Sequence, residues 1–293
     1  MDNFIVLYNP LAGNGTAQDK MRELESLMQG DRLYFSNMLD IRDYGAFFND
    51  MPDGASIIIC GGDGTLNRFL NDTEDIRPDC DIYYYPSGSG NDFARDIGAE
   101  RGAPPVLINR YIERLPKICV NGKEHRFING IGYGIDGYCC EKGDELRGKG
   151  NGEVNYTAIA IKGLLFHYKP TGATITVDGV EHRFEKVWLA PTMIGRYYGG
   201  GMMPTPEQDR LNGDGAVSVM VYYGSGKLKS LAVFPSIFKG EHIKHSEMVA
   251  VLSGRNITVC FDEPRPLQID GETVSGVREH SVTACEEKVL QPA

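Results

Sequence analysis

The chain has 293 residues, of which 41% are hydrophobic and 24% are charged, and these globular proportions exclude a fibrous or wholly disordered protein. Forty acidic residues against 30 basic ones give a formal charge of -10, which repels nucleic acid, so no nucleic-acid partner is expected. Seven cysteines without a Cys-x-x-Cys pair predict reduced thiols, and no apolar run reaches the roughly 18 residues of a membrane span, so we expect a cytoplasmic protein.

Short apolar runs alternate with helical patterns over the first part of the chain. The runs that predict strands are residues 4–8, 33–35, 56–60 and 82–85. Helical patterns lie between them, at residues 16–28 and 44–49. Apolar strands that alternate with helices are typical of a parallel sheet covered on both faces. The pattern therefore predicts an α/β nucleotide-binding domain over residues 1–117, with a doubly wound, mostly parallel sheet.

Short β-like segments separated by tight turns follow residue 117. The segments that predict strands are 117–120, 124–128, 173–177 and 216–221. Asn121-Gly122 and Asp178-Gly179 each stand between two such segments and predict β-hairpins. Helical patterns occupy residues 141–168 and 228–238. We expect residues 118–293 to form a β-rich, antiparallel, sandwich-like domain, whose last residues are free to return to the first domain.

A glycine-rich loop at residues 61–67 joins the strand at 56–60 to a helical pattern. Such a strand-to-helix turn lets backbone N–H groups approach phosphate oxygens, and the helix N-terminus adds the positive end of its dipole. Asp63 suits a contact to a metal or a hydroxyl, and Thr65 suits a cap or a phosphate donor. The alternative is a tight turn capped by these two side chains, with no ligand.

Two further glycine loops, at residues 9–15 and 86–95, also follow predicted strands and open helical patterns. Because the carboxyl ends of parallel strands meet at one edge of a sheet, the three loops are expected to converge on one ligand. Neither the P-loop pattern nor the dinucleotide pattern G-x-G-x-x-G occurs in them. The loops therefore predict a nucleotide site of another lineage.

Asn9-Pro10 and the segments 61–67 and 88–95, in this order and spacing, resemble the catalytic-domain signature of the diacylglycerol kinase and sphingosine kinase superfamily, in particular its short bacterial lipid kinases. The resemblance runs over the whole chain. Gly-Gly-Asp-Gly-Thr is shared with NAD kinases and phosphofructokinases, whereas the segment 88–95 points to the lipid branch. Ser89 stands where the family usually has threonine, and it keeps the hydroxyl.

The resemblance implies an ATP- and Mg²⁺-dependent kinase that transfers the γ-phosphate to a lipid hydroxyl, with catalysis in the cleft between the two domains. Diacylglycerol, phosphatidylglycerol, a sphingoid base and a prenol all offer such a hydroxyl, and the sequence does not choose among them. The implied nucleotide-binding residues are Asn9, Pro10, Gly61, Gly62, Asp63, Gly64, Thr65, Leu66, Asn67 and Ser89.

The implied catalytic residues are Glu272 and Asp63. Glu272 ends an Asp270-Gly271-Glu272 sequence that matches the family's Asp-Gly-Glu, in which the glutamate is the general base. A carboxylate within hydrogen-bond reach can take the proton that the lipid hydroxyl loses as it attacks the γ-phosphate. Asp63 would assist in placing the phosphate or the metal. The alternative for the Asp-Gly-Glu sequence is an ordinary β-turn after the strand at 266–269.

Residues 211–216 resemble a segment that holds a structural magnesium ion in some family members. The resemblance implies the Asp214 carboxylate and the carbonyl oxygens of Leu211 and Ala216 as ligands, a hard-oxygen set that suits Mg²⁺. An ordinary Asp-Gly turn before a strand is the alternative. Residues 130–136 also resemble a family element, and its glycines predict a close backbone approach near the domain junction.

A membrane lipid as substrate implies transient contact with a membrane surface and a protein that is peripheral to the membrane at most. The apolar segment 227–239, which is flanked by lysines, suits such contact, and a buried helix is the alternative. A homodimer is left open. The rival functions are an NAD kinase, whose acceptor is soluble and polar, and a catalytically silent nucleotide- or lipid-binding regulator, which would need no base.

Overall fold

The computed structural model describes residues 2–10, 17–76, 78–88, 90–148, 159, 162–163 and 168–285. The chain divides into two units, Met1–Glu113 (unit 1) and Arg114–Ala293 (unit 2). This division falls a few residues before the predicted boundary at 117. The expected return of the last residues concerns 286–293, which lie outside the described part of the chain.

Unit 1 contains a sheet whose described strands are β1 (Asn3–Tyr8), β2 (Arg32–Asn37), β3 (Ser56–Gly61), β4 (Ile82–Pro86) and β5 (Val106–Leu107). Their order is β2-β1-β3-β4-β5. All neighbouring pairs are parallel except β4 and β5, which are antiparallel. The predicted α/β fold with a mostly parallel sheet is confirmed.

The helices of unit 1 alternate with these strands and are α1 (Ala17–Leu27), α2 (Tyr44–Asn49), α3 (Asp63–Asp72), α4 (Asp92–Ile97) and α5 (Asn109–Ile112). Three consecutive residues of β3, Ile57, Ile58 and Ile59, have no exposed surface. Successive side chains of a strand point to opposite faces, so both faces of this strand are covered.

The register of the parallel strands brings their carboxyl ends together at one edge of the sheet. Tyr8 of β1 is level with Cys60 of β3, and Gly61 of β3 is level with Pro86 of β4. The residues that follow these strands therefore leave the sheet side by side. α3 and α4 begin almost at once there, so their N-termini lie at the same edge.

Unit 2 contains an antiparallel sheet with the order β13-β12-β11-β8-β14-β15-β6-β7, to which β9 and β10 are added through pairing of β9 with β14. The strands are β6 (Lys117–Val120), β7 (Lys123–Arg126), β8 (Gly130–Tyr133), β9 (Thr171–Val177), β10 (Val180–Val187), β11 (Thr192–Met193), β12 (Val217–Tyr222), β13 (Val249–Gly254), β14 (Asn256–Ile269) and β15 (Glu272–Thr283). The predicted β-rich antiparallel domain is confirmed.

The two predicted hairpins of unit 2 are also confirmed. Asn121-Gly122 joins β6 to β7, and Asp178-Gly179 joins β9 to β10. In both turns the two residues have positive φ angles, 52° and 73° in the first and 47° and 86° in the second. Asn, Asp and Gly tolerate this left-handed conformation, which two-residue hairpin turns of type I′ require.

The helical parts of unit 2 differ from the prediction at their ends. α6 (Ile135–Gly148) begins before the predicted residue 141, and most of the predicted remainder up to 168 lies outside the described residues. The predicted helix at 228–238 is α7 (Lys227–Val233), followed by 3-10 turns at Phe234–Lys239 and Glu241–Lys244. Pro235 explains the change of geometry, because it has no N–H to continue the α-helical hydrogen bonds.

His280 on β15 is a buried polar side chain in unit 2. It is 1% exposed, and among the described residues neither ring nitrogen has a hydrogen-bond partner. Tyr133 packs edge-on against the ring, with 5.2 Å between the ring centroids. Burial lowers the pKa of His280 to about 3. Below pH ~6.5 the imidazole is protonated in the unfolded chain, whereas in the folded chain it stays neutral down to about pH 3. The free energy of unfolding therefore decreases as the pH is lowered from about 6.5 to 3.

We expect His280→Phe to remove this part of the pH dependence. Because of His280, the free energy of unfolding of wild type should fall by about 2 kcal/mol when the pH is lowered from 7 to 5. Phenylalanine has no titratable nitrogen, so the variant should not show this loss. Urea unfolding at both pH values, followed by the fluorescence of the single tryptophan, Trp188, measures the difference. His125→Gln, which changes an exposed histidine, should behave like wild type. An equal loss in His280→Phe and wild type would contradict the prediction.

Candidate active site

The two glycine loops that follow β3 and β4 touch each other through their backbones. A Cβ atom added to Gly88 would lie 2.4 Å from the Cα atom of Gly62, and one added to Gly62 would lie 3.1 Å from the Cα atom of Gly88. Only glycine permits so close an approach. The structure therefore brings together the segments 61–67 and 86–95, whose convergence the sequence predicted. Residues 11–16 of the first glycine loop and Ser89 of the last lie outside the described residues.

The Asp63 carboxylate joins these two loops. Its Oδ2 accepts the backbone N–H of Asp92 at 2.9 Å, and its Oδ1 accepts the backbone N–H of Phe93 at 3.0 Å. These are first-turn N–H groups of α4, which have no acceptor within their own helix. Asp63 thus caps a helix that begins 29 residues further along the chain. This contact gives Asp63 a positioning role in addition to the expected role at a phosphate or metal.

The remaining predicted residues of the 61–67 loop divide into core and surface positions. Leu66 is fully buried and Thr65 is 4% exposed, with the Thr65 side chain filling the space where a Cβ on Gly61 would lie. Gly64 instead faces open space, since a Cβ there would meet no heavy atom within 4 Å. Asn67 accepts hydrogen bonds from the side-chain amide of Asn71. Of these positions, Gly64 is therefore where an anion can approach the backbone most freely.

Asn91 and Arg101 complete the second loop, and the sequence did not single them out. Asn91 is buried and left-handed, with a φ of 51°, and its Nδ2 donates to the Gly88 carbonyl oxygen at 2.8 Å. The guanidinium of Arg101 donates to the same oxygen. The Gly-Asn-Asp run was the available signal, because Asn tolerates a left-handed backbone. The N-terminus of α3, the open backbone at Gly64 and Arg101 are groups that suit an anion such as a phosphate, whereas the N-terminus of α4 is already capped by Asp63.

We expect Gly88→Ala to destabilise unit 1. The added methyl group must displace the Gly62 backbone, and overpacking of this kind costs about 1–3 kcal/mol. Gly64→Ala is the matched control, because its methyl group enters open space and alanine suits a helix better than glycine. Thermal unfolding should show a lowered Tm for Gly88→Ala alone. A Tm equal to that of wild type would mean that the two loops do not touch.

In unit 2 the Asp270-Gly271-Glu272 sequence is both a turn and the carrier of an exposed carboxylate. Ile269 of β14 pairs with Glu272 of β15, so Asp270 and Gly271 form a two-residue hairpin turn, with φ angles of 45° and 99°. The predicted turn geometry is therefore present. Glu272 is exposed at the start of β15.

The Asp270 carboxylate fixes this turn to the start of β8. It accepts the backbone N–H groups of Ile128 at 2.6 Å, Asn129 at 2.9 Å and Gly130 at 3.0 Å. Three backbone donors on one carboxylate fix its position, because each bond to a charged acceptor is stronger than a neutral one. Asp270 thus fixes the backbone next to Glu272, although the sequence analysis named Asp270 only as part of the motif.

A buried polar cluster lies beneath the same turn. Gln268 is 4% exposed, and its Oε1 accepts the Gly271 N–H at 2.6 Å. The side chains of Gln268 and Asp136 meet over Gly132, where a Cβ would lie 1.5 Å from Asp136 Oδ2 and 2.6 Å from Gln268 Nε2. Burial raises the pKa of Asp136 to about 6, against the opposing effects of the Gly137 N–H, the Tyr198 hydroxyl and the Gln268 amide. The turn before Glu272 is therefore supported by polar side chains.

The close backbone approach that the sequence predicted for residues 130–136 is observed within unit 2. A Cβ on Gly134 would lie 2.6 Å from the carbonyl oxygen of Trp188. Gly134 also has a φ of 111°, which only glycine adopts readily.

The three predicted magnesium ligands belong to one exposed turn. Oδ1 of Asp214 accepts the N–H of Ala216 at 3.2 Å, and the Arg255 guanidinium donates to the Asp214 carbonyl oxygen. The Ala216 carbonyl oxygen accepts side-chain amides of Gln208 at 2.9 Å and Asn212 at 2.7 Å. These are oxygen ligands of the kind that a hard cation prefers, and the Asp214 carboxylate would be the main one. The Ala216 carbonyl oxygen would have to give up one of its two amide hydrogen bonds to bind the cation. Within the described residues no group of three or more His, Cys, Asp or Glu side chains is arranged to hold a metal.

Comparison with known proteins places both units in described families. Residues 3–117 match the family model of the diacylglycerol kinase catalytic domain, and residues 129–287 match that of the YegS C-terminal NAD kinase beta sandwich-like domain.

Curated relatives carry kinase names. A diacylglycerol kinase of Mycobacterium tuberculosis is 26% identical over 200 residues, which are 66% of this chain and 63% of that relative, so the match spans slightly less than two thirds of its length. A diacylglycerol kinase of Bacillus subtilis is 29% identical over 224 residues, 74% of this chain and 70% of the relative. A crystal structure of a Bacillus anthracis diacylglycerol kinase covers 97% of this chain and 94% of its own, with a TM-score of 0.60 at 18% identity, and shows the same fold.

Proposed function

Because the chain belongs to the family that joins a diacylglycerol kinase catalytic domain to a YegS C-terminal domain, we propose that it is an ATP-dependent lipid kinase. Its reaction transfers the γ-phosphate of ATP to a lipid hydroxyl, with diacylglycerol or a related lipid as the acceptor. The observation that carries the proposal is the contact of the two glycine loops at Gly62 and Gly88, with Asp63 bonded across it.

In this proposal the glycine loops of unit 1 bind the ATP phosphates. The N-terminus of α3 offers the positive end of its dipole, and Gly64 leaves room for an oxygen to approach. Asn9 and Pro10 follow β1 at the same edge of the sheet and complete the nucleotide pocket, as does Ser89. Phosphoryl transfer depends mainly on positioning and charge stabilisation, so a rigid loop pair held by Asp63 is what the reaction needs.

The acceptor hydroxyl needs a base, and we assign this role to Glu272. An exposed carboxylate can take a proton from a hydroxyl within hydrogen-bond reach. Asp270 and Gln268 fix the turn that carries it. A silent regulator would have no use for this supported carboxylate.

Mg²⁺ enters the proposal in two places. As the partner of ATP it would neutralise phosphate charge, and Asp63 is the residue of unit 1 that would help to hold it. As a structural ion it would be held by the Asp214 carboxylate with the carbonyl oxygens of Leu211 and Ala216. No step of the transfer depends on this second ion.

We expect Asp214→Ala to remove a Mg²⁺-dependent rise in Tm. An ion that binds only the folded chain adds about 2.7 kcal/mol to the free energy of unfolding when its concentration is 100 times its Kd. Removal of the carboxylate ligand should abolish this stabilisation. Asp209→Ala is the control, since Asp209 Oδ1 bonds the Leu211 N–H at 2.9 Å in the same turn and is not a proposed ligand. If Mg²⁺ shifts the Tm of wild type and Asp214→Ala equally, the segment is a turn that binds no metal.

NAD kinase is the second candidate, because the matched C-terminal family is described as NAD kinase beta sandwich-like. The two functions differ in the acceptor. Incubation with γ-labelled ATP, Mg²⁺, NAD and a total lipid extract in one vessel makes the acceptors compete. We expect the label in the chloroform phase. Label in NADP would favour the second candidate, and label in neither would refute both kinases.

No helix in the described ranges combines the length and the apolar character that a membrane crossing requires. We propose that the protein works in the cytoplasm and meets its lipid at the membrane surface, as a peripheral protein, and that any homodimer is not needed for this contact.

A further inference from the structure

The segment 227–239 has one buried side and one exposed apolar side. Ser230, Val233 and Ile237 are buried, and the last two pack in the hydrophobic cluster around Trp188. The opposite side carries apolar residues that are exposed, namely Leu228, Ala232, Pro235 and Phe238. Leu228 is 79% exposed and Phe238 is 44% exposed.

These four exposed residues share a face because of the local helix geometry. Their spacings are four, three and three residues. A step of four suits α7, at 3.6 residues per turn, and steps of three suit the following 3-10 turn, at ~3.0 residues per turn. The four side chains therefore line one side, which we call the 227–239 face.

The segment that carries the 227–239 face is basic, unlike the chain as a whole. The segment has three lysines, Lys227, Lys229 and Lys239, and no acidic residue, whereas the chain carries a formal charge of -10. Lys229 forms an exposed ion pair with Glu247 at 2.8 Å. An apolar stripe edged by lysines is complementary to a bilayer surface with anionic headgroups, which attracts the lysines while the acyl boundary takes up the apolar groups.

We propose that the 227–239 face docks this protein on anionic phospholipid bilayers. The inference rests on the proposed function, since a lipid kinase must reach a hydroxyl held in a bilayer, and it names the surface that makes the contact. Leu228 and Phe238 enter the headgroup region, and the lysines make the contact specific for anionic lipid and sensitive to salt.

The test is co-sedimentation with vesicles of phosphatidylcholine and phosphatidylglycerol in equal parts, without ATP or diacylglycerol. We expect wild type to bind, and the double variant Leu228→Glu with Phe238→Glu to bind at least about tenfold more weakly. Lys239→Glu should bind about fivefold more weakly. The matched control is Val180→Glu, which changes an aliphatic residue that is 59% exposed on β10 and should bind like wild type.

Leu228→Ser with Phe238→Ser provides a milder variant, and Trp188 fluorescence checks that each protein is folded. Equal binding of wild type and both double variants would overturn the proposal, as would equally tight binding of wild type to pure phosphatidylcholine vesicles. A dimer in sedimentation velocity that the double variants convert to a monomer, with vesicle binding unchanged, would assign the face to a second copy of the chain and overturn it too.

The proposed docking surface and the proposed kinase activity can be refuted separately. Vesicle binding that depends on Leu228 and Phe238, in a protein that phosphorylates no lipid, refutes the proposed function and supports the surface. Phosphorylation of detergent-dispersed lipid, together with vesicle binding that does not depend on Leu228 and Phe238, refutes the docking surface and supports the kinase function.

Discussion

Glu272→Gln should lower the rate of lipid phosphorylation by ~10²–10⁴ while the affinity for ATP stays nearly unchanged. Glutamine keeps the shape of the side chain and can still bond the lipid hydroxyl, but it cannot accept its proton. The turn before residue 272 is held by Asp270 and Gln268, so the substitution leaves the backbone in place. Steady-state kinetics with a lipid acceptor and calorimetric titration with ATP measure the two effects separately.

Glu279→Gln is the matched control for this prediction. It makes the same chemical change at another exposed glutamate of the same strand, β15, and should leave the rate unchanged. If Glu272→Gln phosphorylates lipid as fast as wild type, the base is elsewhere, and Asp63 becomes the next candidate. If both variants lose activity equally, the loss reflects the strand and not the base.

Asp63→Ala should reduce kinase activity by orders of magnitude and weaken ATP binding, with a folded chain. The alanine leaves the N–H groups of Asp92 and Phe93 without their acceptor, so the second glycine loop loses its link to the first. A lost helix cap costs about 0.5–2 kcal/mol of stability, which most domains survive. Kinase assays, ATP titration and thermal unfolding follow the three quantities.

Asp43→Ala separates capping from function. Asp43 caps α2 in the same unit, with its Oδ1 accepting the Ala46 N–H at 3.0 Å. Both variants should lose similar stability, but Asp43→Ala should keep its turnover and its affinity for ATP. Near-normal turnover of Asp63→Ala would remove the 61–67 loop from the active site.

Local patterns were enough to predict the fold class. The run at 56–60 is apolar at every position, as a strand covered on both faces must be, and β3 is observed there. Asn121-Gly122 and Asp178-Gly179 determine their hairpins through backbone preferences of the turn residues themselves. Such features depend on neighbours in sequence, so a single chain reveals them.

The contacts that organise the candidate site depend on distant residues and escaped prediction. Asp63 caps a helix that starts 29 positions away, and the Asp270 carboxylate bonds the N–H of Asn129 across 141 positions. Both contacts require the register of a sheet, which no local pattern contains. The start of α6 was missed for a related reason, because Asp136 is a polar residue whose burial in the turn cluster only the tertiary structure shows.

The most direct test of the central claim is the identity of the phosphorylated product. Wild-type protein is incubated with γ-labelled ATP, Mg²⁺ and detergent micelles that contain diacylglycerol, with NAD present at the same concentration, and the products are separated by chromatography. The proposed function predicts labelled phosphatidic acid, which Glu272→Gln forms at only a small fraction of the wild-type rate. Label found in NADP, with none in lipid from these micelles or from a total lipid extract, would contradict it.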